Sequence, residues 1–411
     1  MKRKVYAIAA LIVFLLYQFI EMTALTSYNH HYLEGDASLK TLQSEHHHNH
    51  VILRDASGAV VSRNSTRFSK FLSSADARLL PLGTEISLEN ATNDREPLLA
   101  ILKDAGVVDL EPAEIVTLPM WSQVTALYGN EPVIVGLKES CHVFRAKVPL
   151  PADRFLGVSG MFNSGSTAFG ISLQTNCRFA HHPQNKSNDV LSDSNGILDQ
   201  VPWAKHKMAT EKYNHTIHSD IPKQHVLPIV LVRDPYYWMQ SMCKQGYGAR
   251  WSHNSKKHCP NLVPNDFDRN NYKHLQQATS VPVWMGKNPQ VGPSWPSLVH
   301  YWNAWYRSYA NADFPRLMIR FEDTLFHARQ VMKQVCECGG GELVSPDRHI
   351  YHLDEAKWQH KHAQNNMVSA IVKYGTDAGR YRNMTREDLE FARNHLDPSL
   401  LDLFHYQLPK Q

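Results

Sequence analysis

Residues 154–174, RFLGVSGMFNSGSTAFGISLQ, constrain this chain more than any other stretch. An apolar run, 154–160, reads as a strand, and 166–174 reads as the helix that follows it. Between them Gly160 to Thr167 has the spacing G-x-x-x-x-G-x-[ST] of a phosphate-cradling turn, except that Ser166 stands where a triphosphate loop carries lysine. Glycines let the backbone approach an anion closely. The amides of residues 163–167 and the positive end of the helix then point at it. Ser164, Ser166 and Thr167 add hydroxyl donors. Strand, glycine turn and helix in succession are the opening of an α/β unit, and the rest of the chain repeats the pattern.

A second apolar run, HVLPIVLVRDP (225–235), reads as a strand closed by Pro235, with a helix beginning in WMQSMCK (238–244). RLMIRFED (316–323) reads as a third, followed by an amphipathic helix in LFHARQVMKQV (325–335) that ends near Gly339. Residues 132–136 (PVIVG) read as a short buried strand and 96–106 (EPLLAILKDAG) as a helix closed by Gly106. In SLVHYWNAWYRSY (297–309), Leu298, Trp302, Trp305 and Tyr309 fall on one helical face, a core stripe. Residues 245–296 are rich in Gly, Pro, Asn and His and read as an inserted loop, whose Arg250, Lys256 and Lys257 suit an anionic ligand and plain solvent equally well. Strands that alternate with helices predict an α/β fold: a central, mostly parallel sheet flanked by helices. At 43% apolar and 20% charged, the 411 residues suffice for one large body, which we place at 96–411. A net charge of +4 is too small for a dedicated nucleic-acid binder and leaves room for a local basic pocket.

Residues 1–4 carry Lys2, Arg3 and Lys4, and residues 5–20 hold no charge before Glu21. This predicts a cytoplasmic tail at 1–4, a signal anchor at 5–21 and a lumenal stem at 22–95, in a single-pass type II arrangement. The alternative is a cleaved signal peptide, for which 22–27 offer a poor cleavage site. Five sequons, at Asn64, Asn90, Asn185, Asn214 and Asn383, agree with a lumenal glycoprotein. Six cysteines, an even number, predict disulfides of unspecified pairing. The histidines at 30–31 and 46–50 read as part of a solvated stem rather than a metal site.

Two further residues converge on the glycine turn in the reading of an open α/β sheet. Arg233 ends the second strand, where ligands of such sheets bind, and offers a planar, permanently charged fork for phosphate. Ser241 follows eight residues later with a hydroxyl.

This combination resembles the sulfotransferases that use 3′-phosphoadenosine-5′-phosphosulfate (PAPS), in particular the membrane-anchored carbohydrate sulfotransferases of the Golgi. FNSGSTAF resembles that family's 5′-phosphosulfate loop, LPIVLVRDPYYWMQSM its 3′-phosphate element, and RFEDTL (320–325) its Y-E-D-L segment. The resemblance spans about residues 154–340. It implies the P-loop-like sulfotransferase fold, PAPS as co-substrate with no metal required, and a glycan or other hydroxyl or amine acceptor. It assigns Asn163, Ser164, Gly165, Ser166 and Thr167 to the 5′-phosphosulfate, and Arg233 and Ser241 to the 3′-phosphate. The tail KYGTDAGRY (373–381) is similar to a glycine-bearing loop that closes over the 3′-phosphate. Its glycine interval differs by one, and it adds Lys373 and Arg380. Phe169 is the ring chosen for the adenine.

One position departs from the family. A Lys or Arg usually precedes the Ser-Gly pair, and here Asn163 does, with an amide but no charge. The replacement is sought in VPWAKHKM (201–208): Lys205 to stabilise the sulfuryl group or leaving phosphate, His206 as general base, with Glu211 as the alternative base. Asp266-Phe-Asp268 has the D-x-D form of metal-dependent glycosyltransferases but lacks a preceding apolar strand, and Cys336 and Cys338 suit disulfides better than metal. Two other functions stand beside sulfuryl transfer: a lumenal kinase with a degenerate loop, and an inactive binding protein on the same fold. The oligomeric state is not readable from the sequence.

Overall fold

A computed structural model describes residues 92, 94–108, 110, 112–179, 205–211, 222–254, 257–288, 290–351, 367–377 and 379–409, with two isolated strands, Leu53–Arg54 and Ile86–Ser87, paired in parallel. The expected tail and anchor, both histidine tracts and nearly all of the stem lie outside the described residues. Among the described residues no helix is long and apolar enough to cross a membrane.

The body is built on a four-stranded sheet: β1 (Ile134–Val135), β2 (Phe155–Gly160), β3 (Val226–Val232) and β4 (Leu317–Arg320), in the order β1-β4-β3-β2. β2, β3 and β4 run parallel, with Gly160 opposite Leu231 and Arg320 opposite Val232. β1 is antiparallel to β4, so the sheet is mixed. β3 is buried at all seven positions, as a strand covered on both faces requires. Its alternation sorts the core. Leu227, Ile229 and Leu231 face the same cluster as Leu156, Val158 and Ile319, while Val226, Val230 and Val232 join Met318 in the other.

Helices α1 (Leu137–Lys147), α2 (Ser166–Asn176) and α5 (Ala328–Gly339) supply Phe144, Leu173 and Val335 to the first cluster. Helices α3 (Pro235–Lys244) and α4 (Leu298–Ala310) supply Trp238 and Trp302 to the second. The expected stripe of Leu298, Trp302, Trp305 and Tyr309 is fully buried there. Helix α3 begins three residues before the expected position. Asp234 caps it, accepting hydrogen bonds from the amides of Tyr236 (2.9 Å) and Tyr237 (3.1 Å), and Pro235 occupies the first turn where its missing N–H costs nothing.

The 245–296 insertion is not the loop that its composition suggests. It contains the strands Ala249–Arg250, Val283–Met285 and Ser294–Trp295, joined as an antiparallel sheet, and the helix Asp266–Asn271. Strands of two or three residues are too short to display a period in sequence. Disulfides Cys141–Cys338, Cys177–Cys336 and Cys243–Cys259 tie α1 to α5, the end of α2 to α5, and α3 to the insertion. A further helix, α6 (Met367–Tyr374), lies on the α3 side of the core, which Ile371 and Tyr374 enter.

Candidate functional site

The turn between β2 and α2 takes two residues into left-handed backbone, Asn163 at φ 64° and Gly165 at φ 91°. Asparagine tolerates that region better than most residues. At Gly165 a side chain is excluded twice, by the backbone angle and because a Cβ would overlap the Phe321 ring. Gly160 is needed for space, since a Cβ there would overlap the Ser164 hydroxyl. That hydroxyl is buried and has no hydrogen-bond partner among the described residues. The first backbone bond of α2 runs from the Phe169 amide to the Gly165 carbonyl at 3.0 Å, so the amides of Ser166, Thr167 and Ala168 belong to the unpaired first turn. A tight, glycine-dependent turn with a helix N-terminus behind it is a setting that favours an anion.

The segment that begins at Lys205 runs beside β2. The Lys205 carbonyl accepts from the Gly160 amide at 2.8 Å and from the Ser159 hydroxyl at 3.3 Å, and the Lys207 carbonyl accepts from the Tyr309 hydroxyl at 2.9 Å. Held this way, Lys205 donates from Nζ to Thr167 Oγ1 at 2.8 Å, which brings a positive charge to the first turn of α2. The His206 Nδ1 is 2.7 Å from the Gly160 carbonyl. A carbonyl only accepts, so Nδ1 carries the proton, and in the neutral ring Nε2 is the basic nitrogen. The imidazole packs on Phe162 (ring centroids 4.3 Å apart), whose other neighbour is Tyr247 (5.0 Å). Glu211 is half-exposed and paired with Lys207 at 3.3 Å.

Asn163 does not direct its amide along the turn. Its Nδ2 donates to the Gln245 carbonyl at 2.8 Å, beyond the C-terminus of α3, and its own carbonyl accepts from Arg233 Nη1 at 2.5 Å. Arg233 is 7% exposed, and its Nε has no partner among the described residues. The guanidinium lies over Phe321 (4.9 Å) and Tyr374 (5.1 Å), and Nη2 donates to the Tyr374 hydroxyl. Lys373 reaches the same phenol, with Nζ 4.8 Å from the ring centre. Burial holds the Lys373 ammonium below its ordinary pKa, with Arg233 adding repulsion. Burial alone would raise the Tyr374 phenol, but the Arg233 and Lys373 charges outweigh it and bring the phenol below its usual value. Lys373, placed by sequence in a tail about 140 residues from Arg233, thus shares one phenolic oxygen with it.

Other expected residues are placed differently. Ser241 donates to the Tyr237 carbonyl one turn back in α3, at 3.0 Å. Arg380 is buried and spends its fork on Asp234 (2.7 Å), Asp377 (2.9 Å) and the Gln407 carbonyl (2.8 Å). That is a structural brace on the cap of α3. Ser166 is buried in the first turn of α2. Phe169 belongs to the apolar core beneath α2, packed among Leu173 and Val158, and a ring so enclosed is no platform for an adenine. Asp266-Phe-Asp268 is a helix start: Asn265 and Asp268 form a capping box, and Asp268 also accepts from Asn261 at 3.1 Å. Among the described residues no group of His, Cys, Asp or Glu is arranged to hold a metal.

Sequence reasoning missed Phe321, Glu322 and Tyr374. The first two lie in RFED, next to Arg320, which is completely buried against Asp323 (2.7 Å). Glu322 accepts from the Tyr406 hydroxyl at 2.7 Å and from the Asp234 amide at 3.2 Å. Burial, with Asp234 second, pushes its carboxyl up to about 7. The available signal was an acid–base run directly at a strand end, where side chains meet the site. No protein-family model, curated protein or solved structure matches this chain.

Proposed function

We propose that the protein is a PAPS-dependent sulfotransferase on a P-loop-like sheet, transferring a sulfuryl group to a hydroxyl or amine of an acceptor, with a glycan of the secretory pathway as the acceptor class and a membrane anchor at residues 5–21. One observation carries the reading: Lys205 donates to the Thr167 hydroxyl, while Arg233 donates to the Asn163 carbonyl of the same turn and shares the Tyr374 phenol with Lys373. In a triphosphate loop the hydroxyl at Thr167's position holds magnesium. An ammonium 2.8 Å away makes this a poor magnesium site, and it disfavours the kinase alternative. Cations at two places on one turn, Lys205 on the Thr167 hydroxyl and Arg233 on the Asn163 carbonyl, suit a ligand with two separate phosphates.

The residues divide the work. The turn amides and Lys205 hold the 5′-phosphosulfate and offset charge that grows on the 5′-phosphate as it departs. Arg233 and Lys373 hold the 3′-phosphate. His206 Nε2 takes the proton of the acceptor O–H or N–H as that atom bonds to sulfur and the sulfur–oxygen bond to the 5′-phosphate breaks. Lys205 supplies the charge that Asn163 lacks.

Thermal unfolding of the full chain tests the reading. Saturating adenosine 3′,5′-bisphosphate stabilises the fold by about 3 kcal/mol at a hundredfold excess over Kd, and ATP with magnesium does not. Stabilisation by ATP–magnesium alone would overturn it.

A further inference from the structure

The Tyr374 phenol occupies an unusual position. Its oxygen accepts from Arg233 Nη2 and is hydrogen-bonded to the Lys373 side chain, so it joins two cations inside the core. The ring is fixed edge-on to Tyr237 (4.9 Å) and Phe321 (5.3 Å), and Phe321 is the ring that closes over Gly165. No carboxylate side chain hydrogen-bonds the Arg233 guanidinium among the described residues. Its acceptors are the Asn163 carbonyl and this phenol, and Glu322 acts on it through space. A buried guanidinium beside a half-buried ammonium, held without a full counter-charge, is costly, and one neutral oxygen between them is a weak substitute for an anion. Arg233 also keeps Nε unpaired at 7% exposure, a donor left over for a ligand.

We infer that the Tyr374 hydroxyl marks an oxygen position of a phosphate site and stands in for that oxygen until a phosphate monoester binds. Tyr374 is then an internal competitor for the site: its hydroxyl occupies Arg233 and Lys373 in the free protein, and it gives up both contacts when a phosphate oxygen takes its place. The ligand class is a phosphate monoester, which offers several oxygens to a fork and an ammonium at once. The inference rests on the proposed nucleotide site for the identity of the ester, but not for the anion chemistry.

Titration calorimetry on the full chain, wild type and Tyr374→Phe, with adenosine 3′,5′-bisphosphate and with inorganic phosphate, tests it. Tyr374→Phe removes the internal competitor, and both ligands bind about tenfold tighter, the size of one lost charge-assisted hydrogen bond. A residue that merely braces the fold would weaken binding when altered. Saturating ligand also produces a tyrosine ultraviolet difference spectrum in the wild type as the phenol leaves the cations. This reading needs no variant to fold. Weaker or unchanged binding by Tyr374→Phe overturns the inference, and so does a silent spectrum on saturation of the wild type. If inorganic phosphate gives the gain and the spectrum while the bisphosphate does not bind, the phosphate site stands and the nucleotide reading falls.

Discussion

At the scale of single residues, the candidate chemistry depends on backbone contacts that hold side chains still. His206 is fixed by its Nδ1 on the Gly160 carbonyl and by its packing on Phe162, and Lys205 is fixed by two bonds to its carbonyl from β2. This separates the roles of neighbours. On the proposed mechanism His206→Ala lowers turnover by about 10²–10⁴-fold, the range of a positioned general base, and leaves bisphosphate affinity within about twofold. Steady-state rates alongside calorimetry check the split, and unchanged turnover removes His206 from the mechanism. The sequence identified Lys205 and His206 through a resemblance and a missing charge. It did not show that Asn163 would turn its amide to Gln245, because a left-handed φ at one residue leaves no trace in residue pattern. Arg233 was legible as a strand-end arginine. Tyr374 was not, because its partner is 141 residues distant and no local period marks it.

At the scale of elements, apolar runs gave away the parallel core. β3 reads as continuous because both faces are covered, and the α4 stripe reads at helical spacing because only one face packs. The short strand β1 was legible in PVIVG but its antiparallel pairing was not, and the small insertion sheet escaped, since strands of two or three residues are specified by pairing rather than pattern. Helix α5 carries the cysteine pair that the sequence left unassigned. Cys336 and Cys338 anchor it to the end of α2 and to α1, closing loops of 159 and 197 residues. Loops of that length restrict the unfolded chain most, and α2 begins at the glycine turn. Cys177→Ser with Cys336→Ser costs about 2–5 kcal/mol of stability in denaturant unfolding under non-reducing conditions. A loss below about 0.5 kcal/mol means that the bridge does not cross-link the folded protein.

At the scale of the whole molecule, a chain of buried polar groups links the turn to the C-terminal part of the chain: Arg233, Glu322 and Asp234, with Arg380 on Asp234 and Tyr406 on Glu322. The Glu322 carboxyl, raised first by burial and then by Asp234, titrates near 7 in the fold against an ordinary 4.5. Between those values the folded chain holds a proton that the unfolded chain has released. Stability therefore falls as pH rises through that window, by about 3 kcal/mol, and is flat above it. His258, raised by its hydrogen bond to Asp388 (2.9 Å), has the same sign, with stability present below its ordinary 6.5 and lost as pH climbs through its higher folded value. These two groups favour the fold at about pH 5 over about pH 8, and His253, His300 and His327, which burial holds below the ordinary imidazole value, pull the other way. Glu322→Gln keeps the neutral shape and the acceptor for Tyr406, and it removes the titrating proton. Denaturant unfolding at the two pH values gives a profile flattened by most of that difference. If the variant falls as steeply as the wild type, Glu322 is not the source, and the slope belongs to His258, which His258→Gln in turn removes.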